Sequence, residues 1–461
     1  MQHPTLWRST ARSIPSLPDE TLPNPAPSAA AEEDKPLEFS PGYTRYALGL
    51  LLVVYVVNFV DRQVLSILLE SIKAELDVSD TALGFLSGIA FAILYSTLGI
   101  PIAWWADRGK RRSIIALALF VWSGMTVLQG RATGFATLAL ARVGVGIGEA
   151  GCSPPAHSLI ADLFPQSTRS TALAIYSMGI PIGGAIGYLA GGWLDEYFGW
   201  RIAFMAVGLP GVILALVVRL TLREPTRGYW SPPQERAAPQ RTTSFGDVLA
   251  FMRSLRGFLH LAMAAALHAF YGYGSAAFNP SFYRRVHEFE QGELGSWLAA
   301  VSFFAGVTGT YLGGALTDWL GRRDMRWFVW VPGIATFVGV PFVIGAYLAE
   351  DRYVSLLFMA GATLFASFYY GPTFALTQNL APPHMRAQAA AILLLIINLI
   401  GLGLGPQFVG WLSEQLSASY GAESIRYSLV WTVSVCAFWS TAHYAFSART
   451  LQRDLEAKRN L

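Results

Sequence analysis

The chain is poor in charge. Only 14% of its 461 residues are Asp, Glu, Lys or Arg, against about 25% in soluble domains. The net charge is +3, which excludes the strongly basic surface that a nucleic-acid partner requires. There are two cysteines, Cys152 and Cys436, each inside an apolar stretch. A disulfide framework and a cysteine metal site are thereby excluded, and each thiol reads as a small buried hydrophobe. The seven histidines show no metal-ligand spacing. No Walker motif and no Ser–His–Asp pattern is visible, so neither ATP-driven transport nor hydrolysis is expected, and no cofactor or metal is called for. Residues 1–40 lack the apolar core of a signal peptide and are rich in Pro, Ser, Ala and acids. They read as a disordered cytoplasmic tail.

What the chain has instead is apolar length. Hydrophobic residues make up 53% of it and mean hydropathy is +0.41. A bilayer crossing takes about 17–25 helical residues. Twelve runs qualify: 44–69, 81–106, 113–131, 134–163, 169–195, 200–222, 257–283, 294–319, 327–348, 353–380, 386–413 and 424–447. In lipid the backbone must pair within its own segment, so runs of this length are helices; a barrel would show short alternating strands. The expected fold is an all-α membrane protein with twelve transmembrane helices in two pseudo-symmetric six-helix bundles. The longest break, 223–256, is rich in Pro and Arg. It reads as a cytoplasmic linker whose last part, "SFGDVLAFMRSL", has helical spacing suited to the membrane surface. The expected organisation is a tail over 1–42, bundles over 43–222 and 257–449 around the linker 223–256, and a second tail over 450–461.

With both ends inside, the inner segments hold 24 of the 33 Lys and Arg residues and the outer loops seven. That excess predicts cytoplasmic termini. The halves echo one another. "AWWADRGKRR" at 103–112 matches "GALTDWLGRR" at 314–323, with Asp107 and Asp318 211 residues apart. "LFPQSTRSTA" at 163–172 matches "LAPPHMRAQA" at 380–389 at an offset of 217, which aligns Arg169 with Arg386. Two six-helix halves with echoed loops are the mark of a parallel-repeat transporter.

These loops resemble the signature of the major facilitator superfamily over residues 44–447. Gly314, Asp318, Gly321, Arg322 and Arg323 fit it well. The first copy keeps Asp107, Arg108, Arg111 and Arg112 but has Ala103 and Lys110 where glycines are usual. "RVGVGIG" from Arg142 and "GIPIGGAIG" from Gly179 are similar to its helix-4 and antiporter-associated motifs. Within the superfamily, "NFVDRQVLS" at 58–66 and the Arg–Glu stretch of helix 4 resemble the Spinster family. The resemblance implies a bacterial member of a family whose animal members export lysolipids, including sphingosine 1-phosphate.

Charges inside the spans carry the expected chemistry, because an uncompensated charge at mid-membrane costs at least a few kcal/mol. Four stand out: Asp61, Arg62, Arg142 and Glu149. Asp61 and Arg62 lie about 100° apart on one helix. Arg142 and Glu149 are seven apart, about 10 Å along one face. Arg62 and Arg142 are expected to hold an anionic headgroup through forked hydrogen bonds, with Asp61 and Glu149 carrying protons. A fixed ion-pair network joining helices 1 and 4 is the other reading. Tyr271, Phe278, Asn279, Phe368, Tyr369 and Tyr370 are expected to line an amphipathic wall in the second half, with Gly272, Gly274 and Pro280 softening helix 7. Asp107, Arg108, Arg112, Asp318, Arg322, Arg323, Arg169 and Arg386 are expected to form a cytoplasmic gate, the acids facing helix N-termini. "GIGEAG" at 146–151 matches a dinucleotide motif but sits inside a span, so Gly144 and Gly148 read as packing residues. His260 and His268 share helix 7 as core residues or a relay.

The expected function is proton-coupled secondary transport by alternating access. The cargo would be an amphipathic anion, a lysophospholipid or sphingoid phosphate, and the protein a monomer in a bacterial inner membrane. A proton-coupled symporter of small organic anions is the runner-up. A non-transporting lipid receptor and a membrane enzyme are the readings from other classes.

Overall fold

The computed structural model describes residues 38–230, 244–382 and 385–459. Most of the expected N-terminal tail and the middle of the linker, 231–243, lie outside them. Among the described residues there is no strand. The helices of the first half are α1 Pro41–Leu76, α2 Asp80–Ser87, α3 Ile89–Arg108, α4 Arg111–Gln129, α5 Phe135–Glu149, α6 Ser153–Leu163, α7 Gln166–Ser177 and α8 Gly179–Thr221. After the linker come α9 Phe245–Ser254, α10 Arg256–His287, α11 Gln291–Ala300, α12 Gly306–Gly321, α13 Trp327–Leu348, α14 Arg352–Ala366, α15 Tyr370–Leu380, α16 Arg386–Ile396, α17 Gly405–Tyr420 and α18 Ser424–Arg459.

Local signals explain the ends of the first helix. Ser40 caps α1 through its hydroxyl, Pro41 opens the first turn, and Asp77 closes it in the left-handed region at φ 49°. Among the described residues ten helical runs are long and apolar enough to cross a membrane, counting α9 and α10 as one bent pair. Two of them, Ser167–Thr221 and Gln388–Glu456, run to 55 and 69 residues. At about 1.5 Å per residue each exceeds twice a hydrocarbon core of about 30 Å. Each is interrupted, the first at Gly199 with φ 80° and the second at 421–423. Twelve crossings result, and an even number returns both termini to one face.

Six crossings are broken inside the membrane. In the first half the breaks are at Gly88 between α2 and α3, at 150–152 between α5 and α6, and at Met178 between α7 and α8. In the second half they are π-helical turns at Val301–Ala305 and Ile397–Leu404 and a 3-10 turn at Ser367–Tyr369. These are the second, fourth and fifth crossings of each half, so the repeat extends to the irregularities. The seventh crossing, expected to soften, is continuous: α10 runs unbroken through Gly272, Gly274 and Pro280. Its sharp turn lies earlier, at Leu255, where α9 stands at 98° to it with Val248 and Met252 fully buried.

Outward faces are apolar. Leu140, Phe304, Tyr311 and Leu357 are each more than two-thirds exposed, as lipid-facing side chains must be and soluble surfaces avoid. The halves meet at the end remote from the termini, where glycines let backbones touch: a Cβ on Gly84 would stand 2.6 Å from the Pro406 carbonyl oxygen. At the terminal end no ion pair joins the halves among the described residues.

Candidate functional site

The four intramembrane charges converge inside the first half. Arg62 Nε donates to Glu149 Oε2 at 2.6 Å, joining α1 to α5. Arg142 Nη1 reaches the backbone carbonyl of Asp61 at 3.5 Å. The Phe91 ring of α3 lies between the two guanidiniums, 5.0 Å from Arg62 and 4.7 Å from Arg142. Such contacts stabilise a cation removed from water. Asp61 turns the other way, toward α4, beside Trp122 and Thr126. The Thr126 hydroxyl is spent on the Trp122 carbonyl at 3.0 Å.

This cluster is buried. The Glu149 side chain is 0% exposed and that of Arg62 16%, and Asp61 and Arg142 are buried. Of the four, Arg62 alone reaches accessible space. Both Asp61 carboxylate oxygens, Glu149 Oε1, Arg142 Nε and Asn58 Nδ2 make no hydrogen bond of full geometry to another protein group, with Thr126 and Trp122 beside Asp61 and Asn58 beside Glu149. The pairing seen is Arg62 with Glu149; Arg142, on the same helix as Glu149, takes a carbonyl instead.

Small residues let the cluster close. A Cβ on Gly146 would stand 2.6 Å from the Phe91 carbonyl oxygen, and one on Gly148 2.6 Å from the Trp122 nitrogen. The stretch that mimics a dinucleotide motif is therefore where α5 meets α3 and α4 backbone to backbone.

The second half supplies a different surface. Tyr273 of α10 packs against the hydrophobic cluster of the first half that contains Phe91, and Tyr95 of α3 stacks 4.5 Å from the Arg62 guanidinium. Sequence reasoning chose Tyr271, two positions away on the opposite side of α10. Tyr271 donates to or accepts from His268 Nδ1 at 2.8 Å and is buried. His268 also bonds the Ala366 carbonyl at 2.9 Å and stacks on Tyr369 at 4.0 Å. Phe278 is fully buried and Phe368 nearly so, in packing layers. The Asn279 side-chain oxygen accepts from Tyr347 at 2.7 Å. Tyr370 is well exposed and stacks on Tyr369. His260 does not join His268; it pairs with His443 at 2.9 Å.

The residues expected at the gate lie at the terminal face. Arg108 stacks on Trp104 at 4.2 Å and Arg323 on Trp319 at 5.2 Å, the same i, i+4 pairing in both halves. Asp318, Arg322 and Arg386 are exposed and Arg169 is half-buried. The side chain of Asp107 lies outside the described set. Arg112 donates to the Leu222 carbonyl at 3.1 Å, within its own half. Arg111, which sequence reasoning left out of the gate, is the buried one. It bonds Glu224 at 2.8 Å, Ser158 Oγ at 2.9 Å, the Pro225 carbonyl at 3.1 Å and Asp162. It thereby fixes the start of the linker to the first half. Its place in the basic run that fits the superfamily loop signature signalled it.

The comparisons agree with this architecture. Residues 51–406 match the model of the Major Facilitator Superfamily. The chain is 34% identical to an MFS-type efflux pump of Mycolicibacterium smegmatis, over 93% of this chain and 98% of that one. It superposes with a TM-score of 0.82 on the crystal structure of a bacterial homologue of the human lysosomal transporter Spinster, in an inward-facing, unoccupied conformation. That match is 34% identical and covers 90% of this chain and 99% of the other. It is 27% identical to a D-galactonate transporter of Escherichia coli, over 81% of this chain and 90% of that one. Fold and relatives are those of transporters, not enzymes. The chain belongs to the Major Facilitator Superfamily and, within it, to the Spinster-like bacterial transporters.

Proposed function

We propose that this protein is a proton-coupled transporter of an amphipathic anion with a lysophospholipid- or sphingoid-phosphate-like headgroup, working by alternating access. The observation that carries the reading is the buried Arg62–Glu149 contact at 2.6 Å. The Arg62 side chain keeps 16% exposure while that of Glu149, its ionisable partner, has none. An incoming phosphate competes with Glu149 for the same guanidinium fork. Burial disfavours a carboxylate that has lost its arginine, so Glu149 takes a proton as the anion binds. Asp61, beside Trp122 and Thr126, is the second proton carrier, and Arg142 steadies the pair. Tyr95, Tyr273 and Tyr370 give the lipid body an aromatic wall, opposite the charges of the first half.

The Lys and Arg excess supports a bacterial inner membrane with both termini cytoplasmic. In that orientation the joined end faces outward and the terminal end opens inward. There Asp318, Arg322, Arg323, Arg108, Arg112, Asp107, Arg169 and Arg386 stand ready to latch when the halves rock back. A monomer suffices, since the site lies within one chain.

The test is proton release or uptake on cargo addition to purified protein in weak buffer, read with a pH dye. Lysophosphatidate is expected to drive proton uptake in the parent and none in Glu149→Gln. Uptake driven by D-galactonate and not by the lysolipid would move the cargo to small organic anions. Lipid binding with no proton change in either protein would defeat the coupling.

A further inference from the structure

The end remote from the termini carries contacts that the cargo site does not use. Two carboxylates, one from each half, cross the seam in the same way. Glu196 of α8 accepts from the Gly292 backbone N–H at 2.6 Å. Glu414 of α17 accepts from the Thr81 backbone N–H at 3.2 Å. Gly292 is the second residue of α11 and Thr81 the second residue of α2. A helix leaves its first four N–H groups unpaired and carries partial positive charge there. Each glutamate therefore caps a helix of the opposite half. Thr81 and Gly292 are 211 residues apart and Glu196 and Glu414 are 218 apart, close to the offsets at which the loops repeat. Each cap has a polar neighbour on its own helix: Trp193 Nε1 donates to Ser296 at 3.0 Å, and Gln407 donates to the Thr81 carbonyl at 3.3 Å.

One further clasp has no counterpart among the described residues. Arg285 at the end of α10 binds Glu70 and Asp80 at once, with nitrogen–oxygen distances of 2.7–2.8 Å. Asp80 also accepts from Ser413 at 2.6 Å and Lys73 at 2.6 Å. The Arg285 and Asp80 side chains are only 11% and 5% exposed, so this clasp is shielded, whereas Glu196 and Glu414 are exposed. A shielded ion pair is slow to part; an exposed cap exchanges readily with water.

We propose that Glu196 and Glu414 are reciprocal gate residues that hold the far mouth closed by capping α11 and α2 across the seam, alongside the Arg285 clasp. The proposal rests on the transporter reading only in requiring that the two halves separate there; it needs neither the cargo nor the proton. Opening must undo both caps together, because the halves move as bodies. Losing one cap then raises the open-to-closed ratio about threefold to tenfold, the range expected for a helix cap, and losing both multiplies the two factors.

The experiment places spin labels at Arg131→Cys and Glu350→Cys, exposed loop positions of opposite halves at that end. The native cysteines are buried. Double electron–electron resonance in nanodiscs reads the distance distribution. Glu196→Ala and Glu414→Ala are each expected to raise the ratio of long-distance to short-distance populations by a similar factor, and the double variant by their product. Glu196→Gln and Glu414→Gln, which keep the acceptor but not the charge, fall between. Glu423→Ala removes a charge at the same end from a side chain bonded to Arg426 of its own half and leaves the distribution unchanged. A double variant indistinguishable from the parent, an effect carried by one glutamate alone, or an equal shift from Glu423→Ala overturns the proposal. The readout uses no cargo or gradient, so its failure leaves the proton and lipid reading standing, and failure of the dye assay leaves the gate standing.

Discussion

Asp61 and Arg62 are neighbours in sequence but serve different sides of one helix. Arg62 turns toward Glu149 and Tyr95, while Asp61 turns toward Trp122 and Thr126 of α4. That difference gives each a distinct expected outcome. Asp61→Asn removes a buried charge with almost no change of shape, so the thermal midpoint should hold or rise while proton-driven transport is lost. A fall of several degrees would mean that the carboxylate is structural. Arg62→Lys keeps the charge but loses the fork. It should weaken phosphate-headgroup binding at least tenfold in a tryptophan-fluorescence titration, with little change in stability. At this scale the charges were legible, because a lone ion in an apolar run has no bland reason to be there. Their partners were not: Phe91 and Tyr95 look like any other aromatics in a span, and only the packing of α3 brings them to the guanidiniums.

Among the elements, length and apolarity marked the crossings, but the internal breaks were invisible. Gly and Pro were expected to soften the seventh crossing, yet α10 is continuous and the second, fourth and fifth crossings of each half are broken instead. Gly274 is spent on closeness: a Cβ there would stand 3.0 Å from the Gly405 carbonyl. A glycine in a membrane helix serves flexibility or close approach, and composition cannot separate the two. Close approach at α5 can be tested. Gly146→Val drives two methyls into the Phe91 backbone and is expected to cost about 1–3 kcal/mol of stability, lowering the thermal midpoint. It should also weaken transport by displacing Phe91 from between the arginines.

For the molecule as a whole, the linker is less free than its Pro-rich sequence suggests. Arg111 ties Glu224 and Pro225 to α6, Arg227 donates to the Ala106 carbonyl at 2.6 Å, and Glu38 accepts from Thr226 at 2.9 Å. The start of the linker therefore travels with the first half. Arg111→Ala strands two acids beside a buried gap and should destabilise by about 3–5 kcal/mol, seen as early unfolding on heating in detergent. Sidedness has its own test. A cysteine at Glu350 should react with a membrane-impermeant maleimide on intact cells, and one at Arg386 only after permeabilisation. The reverse pattern would invert the orientation argued from Lys and Arg counts.

The sequence alone determined the twelve crossings, the two-fold repeat and the four charges inside the spans. The crossings and the rarity of charge within them follow from the cost of leaving a polar group in hydrocarbon, residue by residue along the chain, and the repeat follows from the echoed loops. Tertiary structure decided which charge meets which, where the spans break, and how the two halves close on each other. Those outcomes depend on helix rotation and on contacts between residues far apart in the chain, and a hydropathy pattern holds no information about either.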